Sequence, residues 1–329
     1  MAADSAWRLG GLSAKELGQR VWREFNQDEI LDRSAALSYY FLGAIFPLLL
    51  VLFSILGLLA TPGSQIRETI MRYANVVLPG SASGLIQQTL DQIMNASGGG
   101  KISFGILLSI WSASAGVVAV MSALNVVYDV RESRNYLRVR ATAIGLMLGM
   151  SICILLGSAL ALFGGSFAEW LGNRFALSTA FVVGWKILQW PIVAAALLMA
   201  FALLYYYGPN IRDQRWEWVT PGSILGLALW LGTSLLFKLY LHYFNSYSAT
   251  YGSLGAVIIL LLWFYVTGIS LLLGAEVNSE IEHAAAQHGD QDAKDRGEVA
   301  PGEAKPREGL VQPTHPEMQE KLKEKRPAA

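Results

Sequence analysis

The sequence predicts an all-α fold, a polytopic membrane helix bundle with six transmembrane helices, both termini cytoplasmic and amphipathic helices at the membrane interface. Three observations lead there. Hydrophobic residues make up 53% of the 329 residues and charged residues only 15%, a membrane-protein composition. Several apolar runs continue for about 20 residues or more, enough to cross a hydrocarbon core about 30 Å thick. Lysine and arginine fall unevenly between alternate connections, as they do in membrane proteins of fixed orientation.

Residues 1–33 read as a cytoplasmic segment. Within it, Leu17, Val21, Trp22 and Phe25 share one side of a helix over Leu12 to Phe25, a pattern that suits a helix lying on the inner leaflet. Residues 34–283 read as the transmembrane domain. Its spans are Ser34–Ala60, Ile102–Val127, Ala141–Gly165, about Leu188–Tyr207, Pro221–Leu241 and Leu254–Ala275. All are expected to be helices, because an open strand would leave backbone groups unpaired in lipid. The fourth span is preceded by "FVVGWKILQWP", so residues from Thr179 belong either to it or to an interfacial turn. Between the first two spans, about 64–96, Ile66, Ile70, Tyr73 and Val77 share a face. Pro79 and Gly80 break it, and Leu85, Ile86, Leu90 and Ile93 resume it, which predicts two amphipathic helices on the outer face. Residues 284–329 turn to Asp, Glu, Lys, Gly and Pro and read as a disordered cytoplasmic tail.

Orientation follows from the cations. The N-terminal segment carries Arg8, Lys15, Arg20, Arg23 and Arg33. The second connection carries Arg131, Arg134, Arg138 and Arg140, and the fourth Arg212 and Arg215. Against these eleven stand Arg67, Arg72, Lys101 and Arg174, so both ends are placed in the cytoplasm. The first 33 residues are polar and mixed in charge and show no cleavable signal peptide. The single cysteine, Cys153, lies in an apolar run and reads as a small core residue.

Polar groups in or beside spans are the functional candidates, since each costs several kcal/mol or needs a partner. Lys186 and Lys238 stand beside aromatic residues near the outer boundary and read as snorkelling. Asn125 and Asp129 end the second span, with Arg131 and Arg134 near enough to neutralise the carboxylate. In "LLLGAEVNSEIEH", Glu276, Glu280 and His283 share one helix face. With Asn278 and with Asp32, Arg33 and Ser38 at the entrance of the first span, Glu276 and Glu280 would line a polar cytoplasmic vestibule, Glu276 paired with an arginine. The plainer alternative is a helix leaving the membrane. Pro47 is expected to kink the first span as a hinge, and Gly145/Gly149 and Gly222/Gly226 have the spacing of close helix contacts. The Glu280–His283 spacing matches half of a di-metal motif, but the other half is missing and no metal site is expected. No nucleophile elbow, phosphate-cradling loop or zinc-protease motif occurs, which argues against an enzyme.

Four stretches, "DRSAALSYYFLGAIFPLLLVLFSILG", "LNVVYDVRESRNYLRVR", "WPIVAAALLMAFALLYYYGPN" and above all "FNSYSATYGSLGAVIILLLWFYVTGISLLLGAEVNSEIEH", resemble the YihY/BrkB family of bacterial inner-membrane proteins. The resemblance covers roughly residues 15 to 283. It implies six transmembrane helices in the bacterial cytoplasmic membrane and a link to the cell envelope. Family members have been connected with serum resistance and virulence, and some with lipid or lipopolysaccharide export. The older family label, ribonuclease BN, does not fit a chain with no soluble catalytic domain. The expected function is therefore transport or export of a lipid-like or amphipathic molecule, the alternative a non-transporting scaffold for envelope assembly. The expected partners are membrane lipids and that amphipathic substrate, with no nucleic acid and no cofactor.

Overall fold

A computed structural model describes residues 7–59, 99–175, 178–212, 216, 219–243, 253–290 and 292–299. The two outer amphipathic helices expected at about 64–96 lie outside these residues, as does the distal tail from 300 onward. All regular structure among the described residues is helical. After a short 3-10 turn at Leu9–Gly11 come α1 (Ala14–Gln27), α2 (Ile30–Leu59), α3 (Gly99–Val127), α4 (Tyr136–Phe175), α5 (Thr179–Tyr207), α6 (Pro221–Tyr243) and α7 (Ser253–Gln287).

Five of these, α3 to α7, are long and apolar enough to cross a membrane. The expected first span lies in α2, which runs as one helix of 30 residues through position 47; the side chain of Pro47, the expected hinge, lies outside what the structure describes. The fourth span begins early. α5 starts at Thr179, with the Ser178 hydroxyl accepting from the Phe181 N–H at its N-cap, and continues through Pro191. The stretch before Leu188 is therefore helix and not an interfacial turn.

α4 and α5 pack along each other, and small residues make the seam. Gly157 meets the Ala196 methyl and Gly164 lies against Gln189. Gly149 touches Leu203, but Gly145, expected to pair with it, faces open space. The other side of this hairpin is apolar and exposed, including Leu155, Leu156, Leu162 and Phe163, a surface that lipid would cover. Near its far end Lys186 pairs with Glu169 at 2.5 Å, so a carboxylate partner, beyond simple snorkelling, accounts for this lysine. α7 packs between α2 and α6 and is also touched by α1 and α3. At the α6–α7 contact the expected Gly222/Gly226 pair does what its spacing suggests. A Cβ on Gly222 would stand 2.0 Å from the Gly274 carbonyl oxygen, so the two backbones meet directly.

α1 opens with a capping box, Ser13 accepting from the Glu16 N–H while Glu16 reaches back to the Ser13 N–H. The bundle covers part of the apolar face that the sequence assigns to a leaflet. Leu17 and Val21 pack on Val277 and Ile281 of α7, joined by Leu9, Leu12 and Leu273, while Trp22 is left exposed. Removing these four aliphatic side chains from water is worth about 1.5–3 kcal/mol each. The preceding turn requires glycine at Gly10, whose φ is +62° and whose Cβ would lie 2.4 Å from the Ile281 carbonyl oxygen.

At its C-terminal end the last helix continues past Ala275, as the shared face of Glu276, Glu280 and His283 requires, runs to Gln287 and closes at Gly289, whose φ is +88°. One expectation about this part changes. Residues 292–299, expected to be disordered, are packed: Val299 is fully buried and its carbonyl accepts from the Arg212 N–H.

Candidate functional site

The extended end of α7 is where ionisable groups gather. Glu276, Glu280 and His283 occupy one face of the helix, and all three are at least 97% buried. Glu24, on the last turn of α1, and Asp28, its C-cap, are buried with them. α1 then turns sharply into α2 through Glu29, which takes a left-handed conformation with φ +53°. Asp129 arrives in a similar way. α3 ends with the Asp129 N–H on the Val126 carbonyl and the Val130 N–H on the Asn125 carbonyl, both at 2.8 Å, with Asp129 itself at φ +53°. That position normally takes glycine; an aspartate there bears strain of about 1 kcal/mol.

Arg296 joins these carboxylates. Its Nη2 donates to Glu24 Oε1 at 2.8 Å and to Glu280 Oε1, and its Nε stands 3.9 Å from Asp129 Oδ2. Burial opposes the charge on Arg296, but Glu24, Glu280 and Asp129 outweigh it and raise its pKa above the ordinary arginine value. Arg20 approaches Glu280 Oε2 at 3.9 Å, Arg23 donates to Glu24 Oε1 at 3.3 Å, and His283 Nδ1 lies 3.6 Å from Glu280 Oε1. Ser279 bolts α7 to the end of α3, donating to the Val127 carbonyl at 2.8 Å across 152 residues.

Glu276 stands apart from these pairs. It is 1% exposed, and its Oε2 has no hydrogen-bond partner among the described residues. Its electrostatic neighbours are the carboxylates of Asp28, Glu280, Glu24 and Asp129. The sequence predicts an arginine beside it, but the arginine that reaches this cluster, Arg296, serves Glu24 and Glu280 instead.

A second network lies at the same end of the bundle. Asn125 donates to Glu132 at 2.9 Å and accepts from the Asn210 N–H at 2.7 Å, while the Asn210 amide donates to the Arg131 carbonyl and to Ser133. Arg134 grips Glu132 with Nε and Nη2 at 2.8 and 2.7 Å and donates to the Gly208 carbonyl at 2.9 Å. Burial pushes the Glu132 carboxyl up, but the Arg134 and Asn125 hydrogen bonds prevail and hold it below the usual range. Arg134 therefore neutralises Glu132, and Arg296 is among the groups that approach Asp129.

The candidates thus divide. Glu276, Glu280 and Asp129 meet in the cluster. Asn278 is adjacent, accepting from the Gly222 N–H at 2.9 Å and so capping α6. Asn125 belongs to the second network. Ser38 turns back onto the Ala35 carbonyl of its own helix, Asp32 is exposed, and Arg33 donates to the Asp28 carbonyl at 2.7 Å. The hydrogen bonds given for these three are local and do not involve Glu276. Glu24, Asp28 and Arg296 are missing from the sequence reading. A signal for the first two exists: Leu17, Val21, Glu24 and Asp28 continue one helical stripe, apolar then acidic. No comparable signal marks Arg296.

Long apolar helices enclosing a buried ionisable cluster define a multi-pass helical membrane protein. The chain belongs to the family of the virulence factor BrkB, which matches residues 21–298. It is 34% identical to the ribonuclease-like protein YfkH of Bacillus subtilis over 261 residues, 79% of this chain and 93% of that protein. It is 26% identical to a UPF0761 membrane protein of Tolumonas auensis over 276 residues, covering 83% of this chain and 88% of the relative. A UPF0761 membrane protein of Xanthomonas campestris is 24% identical over 80% of this chain, which spans 60% of that longer relative. No solved structure matches.

Proposed function

We propose that this protein crosses the bacterial inner membrane six times with both termini in the cytoplasm, and that it transports, or helps export, a lipid-like or amphipathic molecule. The observation that carries the reading is Glu276, a carboxylate 1% exposed, with an unpartnered oxygen and acidic neighbours. A static anchor gains nothing from such a group, because an isosteric amide or an apolar residue would be less costly there. A helix bundle that changes arrangement during a transport cycle can use it, since a second arrangement can offer the missing partner.

The ribonuclease-like wording in the name of YfkH is not carried over. Glu24, Glu276 and Glu280 are each no more than 2% exposed, and carboxylates closed in this way cannot reach a phosphodiester or a metal bound to one.

The test is flux. Protein reconstituted in liposomes should accelerate equilibration of a labelled amphiphile, and Glu276→Gln should slow it while leaving the amount of folded protein unchanged. No acceleration across a broad panel of lipids would overturn the reading. A scaffold would instead lose function when the distal tail is cut. That cut must fall after Ala300, because cutting after His288 also removes Arg296 from the cluster.

A further inference from the structure

A cavity of ≈ 400 Å³ lies between α2, α3 and the first turns of α4, remote from the acidic cluster in its chemistry. Its walls include Leu37, Val118 and Ala119, and it opens at the exposed residues Ala36, Tyr40 and Ser122. Arg33 and Arg140 line it from two different helices. No carboxylate lines it and, among the described residues, neither arginine has an ion pair. This contrasts with Arg20, Arg23, Arg134 and Arg296, each of which has a carboxylate within 4 Å.

Arg140 is held in place for something other than solvent. Its guanidinium sits 4.4 Å from the Trp111 ring centroid and 5.7 Å from that of Tyr136; Nη1 donates to Ser114 Oγ at 3.0 Å and to the Trp111 carbonyl at 3.3 Å, and Nη2 donates one hydrogen to the Tyr136 hydroxyl at 3.4 Å, which leaves its second for a ligand. Its Nε is buried and has no partner. Arg33 commits only Nε, to the Asp28 carbonyl, and so keeps both Nη groups for a ligand. Two guanidiniums over apolar walls complement a phosphate joined to an acyl chain, because arginine donates to phosphate oxygens in pairs.

We infer that this cavity binds an anionic phospholipid, its phosphate between Arg33 and Arg140 and an acyl chain along the α2–α3 groove. The inference rests on the proposed membrane orientation, which puts both arginines on the cytoplasmic side. There a basic pocket between helices meets anionic headgroups.

Full-length protein in mild detergent, mixed with phosphatidylglycerol or phosphatidylcholine and read by native mass spectrometry, tests it. Wild type should retain phosphatidylglycerol over phosphatidylcholine, and Arg33→Gln with Arg140→Gln should lower that retention at least about tenfold. Arg138→Gln, an exposed arginine of the same connection, should leave it unchanged. Ala36→Leu, which fills the mouth without altering charge, should reduce retention even if the double arginine variant fails to fold. Equal retention in wild type, the double variant and Ala36→Leu would overturn the inference. So would displacement of the lipid by millimolar inorganic phosphate, which would mark a site for small anions. Flux without arginine-dependent retention would leave transport standing and remove the lipid site; retention without flux would do the reverse.

Discussion

Two polar networks sit at one end of this bundle, and they are built differently. Around Asn125, Glu132, Arg134 and Asn210 no buried polar atom lacks a partner, and the central ion pair joins residues two apart. Around Arg296 the connections are long, 272 residues separating it from Glu24, and among the described residues Glu276 Oε2, Glu280 Oε2 and His283 Nδ1 are left without hydrogen bonds. A satisfied network fixes a connection and asks nothing further of it. A partly satisfied one costs stability, and a protein that keeps it does so for a second arrangement or a ligand. On the proposed transport reading, the first network is a staple and the second the working part.

The comparison breaks most sharply at Arg296. Arg296→Gln leaves Glu24 and Glu280 buried with less counter-charge, and loss of one partner from a buried pair costs about 3–5 kcal/mol. Thermal unfolding in detergent should show a larger shift for this change than for any other single substitution in either network. A loss within about 0.5 kcal/mol would mean that residues 292–299 are not part of the folded unit. In the staple, Asn210→Ala removes bonds to the Arg131 carbonyl and Ser133. The backbone N–H that serves Asn125 survives the change, so the expected loss is smaller, about 1–3 kcal/mol.

The sequence makes much of this legible and hides a definite remainder. Apolar run length locates α3 to α7 because lipid thickness imposes it, and the spacing of Glu276, Glu280 and His283 marks a face that proves buried. The position of α1 was hidden because an amphipathic helix suits a leaflet and a protein groove equally well. Only the surface offered by Val277 and Ile281 decides. Arg296 was hidden for a related reason. Its segment is too polar to fold alone, and it is ordered by carboxylates whose own burial depends on α1 having docked. Gly145 and Gly149 look alike in sequence, yet only Gly149 meets a side chain, because α5 passes one and not the other.

Smaller effects carry the sign of the comparison more cleanly. Glu276→Gln and Glu132→Gln are the same chemical change in the two networks. At Glu276 it replaces a buried carboxyl group set among other carboxylates with a neutral amide of the same shape, so stability should hold or rise slightly. At Glu132 it removes a charge that Arg134 grips, so stability should fall, by about 0.5 kcal/mol or less because a third of the side chain is exposed. Equal signs in chemical denaturation would dissolve the distinction between staple and working part.

Acid sharpens the same point at the lowest amplitude. The folded Glu132 carboxyl titrates below its ordinary value of 4.5, because Arg134 and Asn125 overcome burial. Its contribution is therefore fully present above that value and is lost as pH falls through the depressed folded one. With a third of the side chain exposed, the contribution is about 0.5 kcal/mol or less. The slope of stability against pH below about 4.5 should accordingly be shallower in Glu132→Gln than in wild type. Identical slopes would show that the Arg134 grip is made equally in the unfolded chain, where the two residues are only two positions apart. The staple would then owe its strength to Asn125 and Asn210 alone.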